Sequence, residues 1–229
     1  MHANWEALVT LQQTEVQPLA VLCLGDIVGY GPDPQRCLEA VRASATHLIG
    51  GRQDRAVGTP KTRSSFEPEG DELVEATLAH TRLVLSAEDR AYLAALPTEL
   101  TIELANVRFQ LTRLPPDDST TETHMLITMP QAQLRELFGH VEADVILLGG
   151  PHVPAMRQID HRLIICPGSL GQPRYGVPEP TFAVWHNGRA QIHHLHYEPH
   201  VTIRKLSLLP LAPEHRLYLQ TVLQRGGID

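Results

Sequence analysis

Three short strand-like runs in this chain end in glycine, the first and third of them apolar at nearly every position: AVLCLG at 20–25, THLIG at 46–50 and ADVILLGG at 143–150. Runs that are apolar at nearly every position, not at alternate ones, belong to strands covered on both faces. That restricts the fold to a sheet packed between other layers. Between the first two runs lies PQRCLEAVRAS (34–44), a helical pattern with proline in its first turn. Strand, helix and strand within roughly 30 residues make a crossover unit of an α/β fold. Each of these strands also delivers polar residues just past its end: Asp26, then Arg52-Gln53-Asp54, then His152. In open α/β sheets that is where ligands bind, so the three strand ends are expected to converge on one site.

The remaining pattern is mixed. WEALVTLQQ after Asn4 reads as a capped amphipathic helix. Residues 71–97 read as two helices broken at Ser86, where SAED resembles a capping box. TIELANVRFQLT (101–112) reads as two strands about an Ala-Asn turn, and QAQLRELFGHV (131–141) as a helix. RLIICPGS, TFAVWHNG and QIHHLHYE are expected to form consecutive strands of a meander, and 213–227 a helix with a glycine stop. GTPKTRSSFEPE (58–69) and LPPDDSTTETH (114–124) read as polar loops. No repeat or linker divides residues 1–229, so a single domain is expected.

Composition excludes several classes. With 42% hydrophobic and 20% charged residues, the chain reads as an ordinary globular protein. A net charge of −7 argues against a nucleic-acid binder. No apolar run approaches the ~20 residues of a membrane span, and MHANWEALVTLQQ lacks the regions of a signal peptide. Cys23, Cys37 and Cys166 are too widely spaced for a disulfide framework or a zinc knuckle, and a cytoplasmic protein is expected.

The segments HANWEAL (2–8), GDIVGYGPDP (25–34), GRQDRAV (51–57), LTRLPPDD (111–118), GGPHVP (149–154) and CPGSLGQPRYG (166–176) carry a resemblance. In order and spacing they resemble the motifs of the calcineurin-like metallophosphoesterases, specifically the small bacterial branch. The resemblance implies a four-layer α/β/β/α sandwich of two mixed sheets. It also implies two metal ions bridged by an aspartate, and attack on phosphorus by a metal-activated hydroxide. The first strand of that fold, and an aspartate two residues before His2, would precede Met1 and are expected to be missing.

Matched motif by motif, Asp26 takes the bridging position, and His2 and His152 two further positions of the first metal site. The second site has Arg52, Arg113 and Gly150 where the family has ligands. The general-acid histidine is replaced by Gln53, which leaves its partner Asp54 with nothing to orient. Both visible first-site residues survive while all three of the second are replaced, two by cations. A divalent ion ~5 Å from one guanidinium would be repelled by ~7 kcal/mol at an effective dielectric of ~20. Arg52, Arg113 or both are therefore expected to pair with Asp26, since guanidinium binds carboxylate and phosphate in the same fork.

The resemblance thus implies none or one divalent ion (Mn, Fe or Zn), with a phosphate or nucleotide as ligand and no nucleic acid or membrane. The leading reading is a family member that has lost dinuclear catalysis. The alternative is an active hydrolase using one ion at His2, Asp26 and His152, and a third is a structural or partner-binding protein. Plainer readings stand beside these. His2 and His152 could be ordinary polar residues, and Arg52 and Arg113 solvated charges. HHLH (193–196) reads as an edge strand with His194 and His196 on one face and His193 on the other. Cys166, where the family has asparagine, reads as core, and Gly29, Gly31, Gly149, Gly150 and Gly168 as turn formers with positive φ.

Overall fold

The computed structural model describes residues 1–59, 71–113 and 125–227. Apart from residues 58–59, the two expected polar loops (58–69 and 114–124) lie outside the described residues. The strands are β1 (Leu22–Cys23), β2 (His47–Leu48), β3 (Leu100–Leu104), β4 (Val107–Arg113), β5 (Val145–Gly149), β6 (Pro154–Ile159), β7 (Arg162–Pro167), β8 (Thr181–His186) and β9 (Arg189–His194). The helices are α1 (Trp5–Gln12), α2 (Pro34–Ser44), α3 (Arg52–Gly58), α4 (Asp71–Val84), α5 (Ala87–Ala95), α6 (Met125–Thr128), α7 (Gln131–Phe138), α8 (His200–Ser207) and α9 (Pro213–Arg225).

A five-stranded mixed sheet, ordered β3-β4-β5-β7-β6, forms the centre. Its strands explain the uninterrupted apolar runs. In β5, Val145 and Leu147 point to one cluster, with Phe109, Leu111 and Ile165, while Ile146 and Leu148 point to the opposite one. The period of two is still present, but both faces are buried. On the first face lie the parallel pair β1-β2 and the antiparallel pair β8-β9, through Leu22, Leu24, Ala183, Trp185 and Ala190. On the second face lie α6 and α7, through Leu126, Leu134 and Phe138. Residues of α1, α2, α4, α5, α8 and α9 pack with Ile27, Val28 and Cys23 in a third cluster, outside β1-β2. The architecture is the four-layer α/β/β/α sandwich.

Local signals hold well. Asn4 Oδ1 accepts the Ala7 N–H at 3.2 Å and caps α1, and Ser86 Oγ accepts the Asp89 N–H at 3.0 Å and caps α5. Ala105 and Asn106, both with positive φ, turn β3 into β4, and Gly226 at φ 73 ends α9.

The meander is corrected. β8 and β9 pair with each other, but β7 pairs parallel with β5 and antiparallel with β6. β6 escapes the pattern because PAMRQI mixes Ala155 and Ile159, buried, with exposed Met156 and Gln158. Three helices were also unanticipated, the short α3 and α6, and α8; α6 packs Leu126 on the central sheet and α8 lies against α1. Helix α8 anchors the start of the chain. Lys205 Nζ lies 2.6 Å from Glu6 Oε1 and 2.7 Å from Asp33 Oδ2, and Thr202 Oγ1 donates to Glu6 Oε2 at 2.7 Å.

Candidate metal centre

The loop after β1 turns sharply at Gly25 (φ 83) and presents Asp26, which is buried. The chain start lies along this loop: the His2 N–H donates to Asp26 O at 2.7 Å and the Ala3 N–H to Ile27 O at 2.8 Å. His152 follows the end of β5. These elements bring His2 Nε2 within 3.0 Å of His152 Nε2 and 3.9 Å of Asp26 Oδ2. One ligand atom from each of the three lies within 4.8 Å of the others.

The backbone marks the same point. His2, Asp26 and His152 have φ of 55, 49 and 61, in the left-handed region. Of the nine described non-glycine residues with positive φ, Ala105, Asn106, Asp160 and Asn187 sit in strand-connecting turns, whereas these three, Ala3 and Tyr30 gather here. Strain of this kind persists where the surrounding structure enforces it, typically at functional sites.

The donor set fits a divalent ion. His152 Nδ1 lies 3.0 Å from the Gln172 carbonyl, so Nδ1 carries the proton and the Nε2 lone pair faces the cluster. The two Nε2 atoms, 3.0 Å apart, are close to the ~3.3 Å that two nitrogens subtend on one tetrahedral ion with bonds of ~2.0–2.1 Å. Burial, together with nearby cations, holds both imidazoles well below their ordinary pKa, so they stay neutral as ligation requires.

Arg113, at the end of β4, places Nη2 2.5 Å from Asp26 Oδ2 and donates from Nη1 to Leu24 O at 3.1 Å. Burial pushes the Asp26 carboxyl up, but Arg113 and the two histidines outweigh it and hold the group well below the usual carboxylate range. The guanidinium rests against Gly149 and Gly150: a Cβ on Gly150 would stand 3.3 Å from Nη2, at a backbone φ of 115. A larger side chain at 150 would enter the space that Arg113 uses. Arginine at 113 and glycine at 150 therefore fit each other. Arg52 is exposed in the first turn of α3.

Asp54 has a task that its sequence context did not suggest. Oδ1 accepts the N–H groups of Ile27 at 2.8 Å and Val28 at 3.1 Å, and Oδ2 accepts that of Gly51 at 2.9 Å. Fully buried, it clamps the Asp26 loop to the start of α3. Burial and the adjacent Asp26 charge push its carboxyl up to about 6, against the pull of these N–H donors. Gln53 is buried beside it and its N–H donates to Asp26 Oδ1 at 3.3 Å.

The glycines divide into two kinds. Gly29, Gly150 and Gly168 have positive φ, as expected, but Gly31 and Gly149 do not. Their requirement is close approach: a Cβ would stand 2.2 Å from His2 O at Gly31 and 2.6 Å from Leu24 O at Gly149. Gly51 presses directly on Asp26, since its Cβ would lie 2.0 Å from Asp26 Oδ1 and 2.3 Å from Asp26 N. Gly51→Ala is expected to displace Asp26 and to lower stability by about 2–3 kcal/mol, read as a fall in the urea midpoint. A midpoint unchanged from wild type would show that the loop can yield.

Away from the centre, His194 Nδ1 and His196 Nδ1 lie 3.1 and 3.2 Å from the two oxygens of Glu179, and His193 stacks on Phe182. Cys166 is fully buried in the core.

Comparisons with known proteins identify the family and the fold. The family model described as calcineurin-like phosphoesterase superfamily domain matches residues 1–188. The chain belongs to that superfamily. An uncharacterized protein of Methanocaldococcus jannaschii, MJ0912, is 23% identical over 202 residues, covering 81% of this chain and 79% of that protein. Among solved structures, a metallophosphoesterase from Sphaerobacter thermophilus superposes with a TM-score of 0.77 at 24% identity, covering 98% of this chain and 95% of that one. The hypothetical protein PH1004 from Pyrococcus horikoshii reaches 0.80 at 21% identity, covering 100% and 96%. At these identities the superpositions establish the shared fold, and the phosphoesterase-family assignment rests on the family model.

The neighbours of the triad in this phosphoesterase-family site went unassigned in the sequence: Tyr30, Gln172 and Arg174. Tyr30 meets His2 edge-on, with ring centroids 4.9 Å apart, and Gln172 orients His152. The signal available was a lone cation inside the glycine- and proline-rich segment 166–176.

Proposed function

We propose that this protein binds one divalent ion at His2, Asp26 and His152, with Arg113 in the place of a second cation, and that the pair forms a phosphate-binding site of weak hydrolytic power. The observation that carries this reading is the gathering of three left-handed residues, with their ligand atoms within 4.8 Å, beside an Asp26–Arg113 contact of 2.5 Å. When bound, the ion would supply Lewis-acid polarisation of a phosphoryl oxygen and of water.

The chain's own residues do the rest. The two imidazoles, kept neutral by burial, offer their lone pairs. Gln172 fixes the ring of His152. Arg113 neutralises Asp26 without demanding a ligand set of its own, and its fixed charge lowers the affinity for any further cation. Gln53, beside Asp26, has no titratable proton to give a leaving group, which confines hydrolysis to esters whose leaving group departs as a stable anion. A cytoplasmic location belongs to this reading, because the described cysteines are free and reduced thiols persist there. Among the described residues no helix is long and apolar enough to cross a membrane.

Dialysis against Mn²⁺, Fe²⁺ or Zn²⁺ followed by elemental analysis is expected to find one equivalent. His152→Ala should reduce that affinity at least ~100-fold, as loss of one of three protein ligands does. Inorganic phosphate should raise the melting temperature of the loaded protein, and an aryl phosphate should turn over slowly. Two equivalents of metal, or none, would overturn the reading.

A further inference from the structure

Arg174 lies in the loop between β7 and β8, yet it is tied to both histidines of the triad. Its backbone N–H donates to His152 O at 3.4 Å, and its Nη2 donates to Gln172 Oε1 at 3.2 Å, the residue whose carbonyl orients His152. Its guanidinium carbon stands over the Tyr30 ring, 5.7 Å from the centroid, and the same ring meets His2. Arg113 approaches the triad from the Asp26 side, and Arg174 from the side of the histidines. The first is committed to a carboxylate. The second is half-buried, close enough to the histidines to help keep them neutral once burial has done most of that work.

A guanidinium beside two metal-binding imidazoles opposes the cation and favours an anion. Amide and aromatic contacts hold its plane in place, and a fixed fork binds two oxygens of one phosphoryl group. With one ion bound, the charges of the ion, Asp26, Arg113 and Arg174 sum to about +3, by the formal charges of their ordinary protonation states. Such a centre attracts a dianion more than a monoanion.

We propose that Arg174 is the specificity-determining residue of this site, directing it to the phosphate dianion of a monoester or of inorganic phosphate rather than to a diester. This rests on the one-ion phosphate site proposed above.

Titration calorimetry on the Mn²⁺-loaded protein, with inorganic phosphate and with dimethyl phosphate as probes, tests it. Wild type is expected to favour inorganic phosphate. Arg174→Gln should weaken phosphate binding roughly 10- to 100-fold, the range for a lost charge-assisted hydrogen bond, with a smaller effect on dimethyl phosphate. Arg174→Lys should restore part of the loss. Mn²⁺ affinity in Arg174→Gln should equal or exceed that of wild type, because a positive charge has left the histidines. A purely structural role would weaken Mn²⁺ and phosphate together, and that result overturns the inference. If wild type binds phosphate and Arg174→Gln binds it as tightly, this inference fails while the phosphate site stands. If loaded wild type binds no phosphate, both fail.

Discussion

Replacing Arg113 with alanine is expected to destabilise the metal-free protein by about 3–5 kcal/mol, the cost of leaving one partner of a buried ion pair uncompensated. Asp26 and Arg113 are both largely buried, at 8% and 13% side-chain exposure, and 2.5 Å apart. The variant should also respond to divalent ions where wild type responds less. Removal of the guanidinium lifts a fixed repulsion from the triad, and an ion at one hundred times its dissociation constant stabilises by ~2.7 kcal/mol. Urea unfolding of wild type, Arg113→Ala and Arg113→Lys, each with and without Mn²⁺, reads both effects. Lysine keeps the charge without the fork, so it should fall between the other two. An alanine variant as stable as wild type and indifferent to Mn²⁺ would show that the guanidinium does not serve as a resident cation.

The second large effect is expected at Asp54. Alanine there strips the acceptor from three buried N–H groups, those of Gly51, Ile27 and Val28. Unsatisfied buried donors cost ~1–3 kcal/mol each, and since neighbouring losses are not additive, a total of about 3–5 kcal/mol is expected. Asparagine retains one oxygen and should lose about half as much. The same substitution should weaken metal binding, because the loop carrying Asp26 loses its clamp to α3. The urea midpoint should fall without a change in slope, which marks lost stability rather than a changed denatured state. A loss below ~1 kcal/mol in the alanine variant would mean that water replaces the carboxylate, and the clamp would be refuted.

Asp54 also shows where reading the sequence stops. Its motif position named a partner histidine, and with glutamine at 53 it looked idle. Its actual partners are backbone N–H groups 26 and 27 residues away, together with one three residues away. No side-chain pattern announces a backbone donor. Arg113 was easier, because a cation in a ligand's position must meet the surviving acid. Arg174 was harder: its contacts with Tyr30 and Gln172 exist only once the loop after β7 folds back over the site. The meander failed for a related reason. After Arg162, LIIC (163–166) is apolar throughout because it is buried on both faces between β5 and β6, and that pattern carries no information about its neighbours.

Residue order alone determined the layered α/β class, the helix caps at Asn4 and Ser86, and the turn at Ala105-Asn106, and it singled out His2, Asp26 and His152 as a candidate ligand set. These depend on local propensity, on burial period and on motif chemistry, all of which are written along the chain. Only the tertiary structure decided that three left-handed residues would meet, that Gly150 would make room for Arg113, and that Asp54 would serve the backbone. Each of those depends on distances between segments far apart in sequence, which packing of the layers sets.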